Sequence, residues 1–235
     1  MADTTAGPRF GEGPLSRASA LVYTLLVVEL LLLAAVVPGL IGLVLLDRDA
    51  ANVPLAAACL LPVGPALSAA LYALHNRRLS LTDLRPTAAF FRGYKANFRQ
   101  VVKLWIPWLV WLTIIGSNLA NFTAAGVPGW WAVPSVLIAV LATLWVANAL
   151  VITSLFEFRA RDVARLSAYF LTRSPRVALG NASLLVVAAG ITLAASEMAL
   201  ALLASALASV LLLNSRPMIA EVRKRFTVEA ADARP

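Results

Sequence analysis

Residues 60–74 read LLPVGPALSAALYAL. The stretch is apolar enough to lie in a bilayer, yet Pro62, Gly64 and Pro65 crowd its start, where proline removes backbone donors and glycine lets the chain turn. A plain membrane anchor gains nothing from such a break. A half-helix beginning at Pro65 would point unpaired N–H groups into the membrane interior, where they need an acceptor.

The surrounding chain settles the class. Of its 235 residues 60% are hydrophobic and 14% charged, and the mean hydropathy is +0.82; soluble domains average about 45–50% apolar and about 25% charged. Apolar runs fall at 18–46, 53–74, 104–120, 131–156, 177–195 and 198–213, each near or above the roughly 17–25 residues that span a hydrocarbon core. The expected fold is therefore an all-α integral membrane bundle of six spans in one domain, residues 1–235. Only Ser196 and Glu197 separate the last two runs. They are read as a tight hairpin, because one continuous helix would be about 55 Å long against a core of about 30 Å. The first run exceeds the ~7–15 residues of a signal-peptide core and is expected to stay in the mature protein.

Charge orients the spans. With a cytoplasmic N-terminus, Arg48 alone of the 20 Lys and Arg residues is left outside, a positive-inside pattern that places both termini in the cytoplasm. The net charge of +8 then reads as a topology signal rather than a nucleic-acid footprint. The outer connections, such as LDRDAANVP (46–54) and NFTAAGVPGWW (121–131), are short, so no extracellular domain is expected. The N-terminal MADTTAGPRFGEGPLS is expected to lie extended along the inner surface, and the C-terminal EAADARP to fray.

Before the third span, Thr87–Lys103 has helical periodicity: Phe91, Tyr94, Phe98, Val102 and Trp105 form one stripe, and Arg92, Lys95, Arg99 and Lys103 a parallel basic one. Such a basic, aromatic amphipathic helix is expected to lie in the anionic inner leaflet, or to offer a partner a docking surface. Trp105 and Trp108 at the inner interface, and Trp130 and Trp131 at the outer, read as aromatic belts. Ala201, Ser205 and Ser209, with Ala204 and Ala208, recur every four residues and predict close helix packing.

Several chemistries are set aside. Cys59 is the only cysteine and His75 the only histidine, so neither an internal disulfide nor a zinc or haem site is expected. No HExxH, GxSxG or Walker A sequence is present. No catalytic residue, metal or cofactor is assigned, and the chain is not read as an enzyme. Asn118, Asn121, Asn148 and Asn181 could bond between helices or line a cavity.

Glu29 is the most informative residue. It stands about 18 Å along a helix from Arg17, near the bilayer centre, while Pro65 is about 15 Å from His75. The two are expected at similar depth. Glu29 would then either cap the helix start at Gly64 and Pro65, or form with them a midplane polar site for a solute or proton, as discontinuous helices do in transporters.

Three segments together resemble the YesL-like family of bacterial membrane proteins: VVELLLLAAVVPG (27–39), GPALSAALYAL (64–74) and FFRGYKANFRQ (90–100), the last carrying Asn97 and Phe98 where the family tends to have Asn-Phe-Lys-Gln. The likeness runs from Phe10 to about Trp108. The chain departs from the pattern at Glu29, where a neutral polar residue, often Asn, is usual, and in the extra segment between Leu43 and Val63. The resemblance implies a role in carbohydrate uptake, because such proteins are often encoded beside sugar import systems. TAAFFRG (87–93) followed by WIP (105–107) loosely resembles the Glu-Ala-Ala…Gly…Pro loop by which permeases of ABC importers engage their ATPase, with Thr87 in place of the acid. The expected partners are thus anionic lipids and an ABC importer or its ATPase. The expected function is accessory to, or part of, solute uptake; the alternative is a structural or lipid-interacting membrane protein with no transport activity.

Overall fold

The computed structural model describes residues 14–47, 49–77, 85–122 and 124–227. The two terminal segments, Arg48, Arg78 and the start of the family likeness at Phe10 lie outside them. The described chain is helical, with no strand. Ten α-helices follow in order: α1 (Pro14–Leu45), α2 (Val53–Cys59), α3 (Val63–His75), α4 (Pro86–Ala120), α5 (Ala132–Leu155), α6 (Ala160–Arg173), α7 (Pro175–Ala194), α8 (Glu197–Ala201), α9 (Ala204–Asn214) and α10 (Arg216–Val222).

Five segments are long and apolar enough to cross a membrane: Ala18–Leu45, Ala50–His75, Pro86–Ala120, Gly129–Leu155 and Pro175–Ala194. Large apolar side chains on their outer faces, such as Leu30, Val133, Val186 and Leu193, are exposed, as lipid-facing residues are in a membrane-embedded protein. The sixth expected span differs. The chain does turn at Ala195 and Ser196, where the Ser196 hydroxyl accepts from Ala199 N–H at 3.1 Å. Beyond the turn, however, the run breaks at Leu202 and Leu203 into α8 and the 11-residue α9.

The helix at the centre is α3. Gly64, Pro65, Ala66, Ser68, Ala69, Ala70, Leu71, Ala73 and Leu74 are all buried in it, and α1, α4, α5 and α9 pack around it. Its run of Gly, Ala and Ser lets neighbouring backbones come close, which substitutes for the hydrophobic drive that lipid-facing helices lack. Gly93 of α4 lies so near that an added Cβ would stand 2.7 Å from Tyr72 Cβ.

The basic amphipathic segment is not a separate element. Residues 86–120 form one helix, with Pro107 inside it, about 52 Å long against a core of about 30 Å. Its packed face also differs from the expected stripe. Phe90, Gly93, Val101, Leu104 and Trp105 are buried, whereas Phe91 and Phe98 are exposed beside Arg92, Lys95, Arg99 and Lys103. The aromatic stripe read from spacing mixed two faces, because Phe90 and Phe91 are adjacent and only packing against α3 selects between them. A second short helix, α6, buries Val163, Ser167 and Phe170 and exposes Arg161 and Arg165; the sequence reading had missed it.

Trp105 does not belong to an interfacial belt. It is 5% exposed, its ring centroid lies 4.4 Å from that of Trp108 with the planes tilted by 40°, and its indole N–H donates to the Leu60 carbonyl at 3.0 Å. That carbonyl lies at the α2–α3 break, where it accepts from both the indole and the Val63 N–H. Gly64 makes the approach possible: a Cβ there would lie 2.5 Å from the Trp105 ring. Gly64→Ala is therefore expected to push the indole off Leu60 and cost about 1–3 kcal/mol, read as a lower melting temperature in detergent; Gly190→Ala, where nothing lies within 4 Å, should leave the melt unchanged.

Candidate functional site

The acid in α1 finds a partner, but not the expected one. Glu29 Oε2 accepts from the Ser205 backbone N–H at 2.7 Å. Ser205 is in the first turn of α9, whose N-terminal cap, Leu203, has no side chain able to bond the helix. The break at Leu202 and Leu203 thus frees donors with no local acceptor, and the carboxyl reaches across from α1 to supply one. An acceptor oxygen is also favoured at a helix N-terminus, where the helix dipole is positive. Glu29 Oε1 is buried with no hydrogen-bond partner.

Gly64 and Pro65 are buried but lie at another level. Gly39 of α1 packs on the Cys59 carbonyl and Pro62, so the α2–α3 break faces a point about ten residues, or about 15 Å, along α1 from Glu29. Thr24 lines a cavity with Tyr72 and Asn76, which fixes α1 and α3 as antiparallel and puts Glu29 nearer the middle of α3. The expected pairing of Glu29 with Gly64 and Pro65 is therefore not made, and the carboxyl bonds the start of α9 instead. The start of α3 also offers a carboxyl few donors. Pro62 and Pro65 have no N–H, Val63 N–H bonds Leu60 O at 3.2 Å, and Ala66 N–H bonds Pro62 O at 3.1 Å.

A polar ladder joins α5, α7 and α9. Asn181 Nδ2 donates to Asn148 Oδ1 at 3.0 Å; Asn214 Nδ2 donates to Asn181 Oδ1 at 2.7 Å and to Val177 O at 3.0 Å. Asn148 and Asn181 are buried, so of the two roles open to them they take interhelical bonding. Asn121 bonds locally to Ser117 O, and Asn214 was missed because it falls at the edge of an apolar run. Ser68 and Ser154 share a hydrogen bond of 2.9 Å between α3 and α5. Asn97 Nδ2 lies 3.5 Å from Ser154 O, and Gln100 donates to Phe158 O. Asn97 therefore fastens α4 to α5, while Phe91, Arg92, Lys95, Phe98, Arg99 and Lys103 are exposed and Tyr94 is half-buried, its ring 5.5 Å from that of Phe98.

Two cavities open at the basic end of the bundle. One of about 570 Å³ lies among the ends of α1, α3 and α4 and is bounded by Arg77, Arg85 and Arg92. The other, of about 360 Å³, lies between α3, α9 and α10 and shares Arg77. Glu29 lines neither. The arrangement offers anion-binding groups at one end of the molecule and a capped helix break within it.

The Glu29 bond makes a graded prediction. Glu29→Ala leaves the Ser205 N–H unpaired in the bundle and should cost about 1–3 kcal/mol, whereas Glu29→Gln keeps an acceptor oxygen and should melt close to the parent protein. In the ladder, Asn181→Ala should destabilise by about 1 kcal/mol, and a double-mutant cycle with Asn148 should return a coupling of roughly 0.6–1.7 kcal/mol.

Residues 21–119 match the model of an uncharacterised family described as "Protein of unknown function, DUF624". The matched stretch covers most of α1 through α4, and so includes Glu29 and the α2–α3 break but not Ser205. No curated protein and no solved structure matches the chain.

Proposed function

We propose that this chain is a multi-pass protein of the bacterial plasma membrane that acts as an accessory to solute uptake, with carbohydrate as the solute class. Its basic end faces the cytoplasm, following the charge asymmetry of the sequence. In this reading α8 and α9 cross together as a sixth span of about 27 Å, which returns the C-terminus to the cytoplasm. The class of solute rests on the YesL-like resemblance, with which the match over residues 21–119 is consistent.

One observation carries the accessory role over that of a small carrier. Glu29, the acid a carrier would use, is held by the start of α9. A carrier that loaded and released a solute or proton there would have to uncap α9 in each cycle, at a cost of about 1–3 kcal/mol. The exposed face of α4 around Arg92, Lys95 and Arg99 is then the surface offered to an ABC importer or its ATPase.

A specific feature supports a second reading, a structural or lipid-interacting protein without transport activity. Phe91 and Phe98 are exposed on the same face as four cations, a pairing suited to the anionic inner leaflet. Uptake of labelled sugars in a deletion strain separates the two. The accessory reading expects loss of uptake of one sugar, restored by the wild-type gene and by Glu29→Gln alike. Unchanged uptake of every sugar, with altered envelope properties, would sink it in favour of the lipid reading. A Glu29→Gln protein that is present at normal levels yet restores nothing would instead point to a carrier.

A further inference from the structure

We propose that the 570 Å³ cavity among Arg77, Arg85 and Arg92 is a binding site for a phosphate group carried on a larger body, either a lipid headgroup or a soluble phosphate ester. The inference stands apart from the uptake reading, because it rests only on the shape and charge of the basic end.

Three elements build the walls. Thr24 comes from α1, Tyr72 from α3, Asn76 and Arg77 from the residues just after it, Arg85 from the cap of α4 and Arg92 from α4 itself. None of the three arginine side chains makes a hydrogen bond or an ion pair with another described residue, and none of the described Asp or Glu residues lines the cavity. Three guanidinium groups around one cavity repel each other, and an anion between them turns that repulsion into attraction. Guanidinium is also the side chain whose planar pair of donors fits phosphate oxygens two at a time. The volume falls in the range of small-molecule sites, about 300–1,000 Å³. That is roomier than bare phosphate needs and suits a phosphate with an attached headgroup or sugar.

The site is held in shape by packing. Tyr72 both lines the cavity and presses on Gly93, the neighbour of Arg92, so α3 and α4 are in close contact beside it. The start of α4 adds to the positive field. Pro86 occupies its first turn and no side chain caps it, and Ala88 of that turn faces the cavity.

The test compares Arg77→Gln/Arg92→Gln with Arg99→Gln/Lys103→Gln. Both remove two positive charges, of which Arg77 is half-buried and Arg92, Arg99 and Lys103 are exposed, but Arg99 and Lys103 do not line the cavity. Phosphatidylglycerol retention is read by native mass spectrometry after reconstitution in phosphatidylcholine with and without phosphatidylglycerol, and binding of inorganic phosphate and a hexose phosphate is read by calorimetry. The cavity variant should lose about tenfold or more in affinity for one of these probes, while the control keeps most of it and both melt like the wild type. A loss confined to phosphatidylglycerol identifies a lipid headgroup; a loss confined to the hexose phosphate identifies a soluble ester. Equal losses in the two variants would overturn the proposal in favour of general surface charge, as would no binding of any probe by the wild type.

Discussion

Inside a bilayer no water is available to satisfy a backbone group, so every interrupted helix must find its partners within the protein. That constraint organises this molecule. The chain breaks at Leu60–Pro62 and again at Leu202–Leu203, and a side chain from a neighbouring helix bonds to the backbone at each. Trp105 of α4 donates to the Leu60 carbonyl, and Glu29 of α1 accepts from the Ser205 N–H. The first bond ties α4 to the central pair α2–α3. The second ties the last hairpin to α1, joining the two ends of the chain.

Between these ties the bundle is held by close approach and by a few polar bonds. The small side chains of α3 bring α1, α4, α5 and α9 in around it, and Gly64 and Gly93 admit Trp105 and Tyr72. The Asn148–Asn181–Asn214 ladder and the Ser68–Ser154 pair link helices at depths where an unpaired amide or hydroxyl would be costly. Glu29 belongs with these structural groups in its geometry. The groups free to meet something outside the chain, the arginines of the 570 Å³ cavity and the outer face of α4, gather at the basic end.

Much of this was legible in the residues. Hydropathy alone marks the apolar segments, because the length of a span is set by bilayer thickness and not by what the span packs against. Pro62, Gly64 and Pro65 announce the first break locally, since each changes what its own backbone can do. Glu29 stands out as an acid in an apolar run, and its use as an acceptor for a helix start follows from that isolation. Its choice of helix start does not. The prolines that reveal the α2–α3 break also remove two of the N–H groups a carboxyl would have served, so the visible break offered it little.

The second break has no local sign. EMALALLASALAS, residues 197–209, contains neither proline nor glycine, and nothing in its spacing separates it from a regular helix. The interruption holds because Glu29, 176 positions away in the chain, accepts the donor that the break exposes. The same division explains α4, where spacing identified an amphipathic helix but packing against α3 selected Phe90 over Phe91 for burial. Composition and short-range chemistry thus set the helical class, the span lengths and the first break. Tertiary contact decided which free backbone groups are paired and which cations are left facing a cavity, because a hydrogen bond between distant segments depends on where the fold brings them and leaves no local pattern to read.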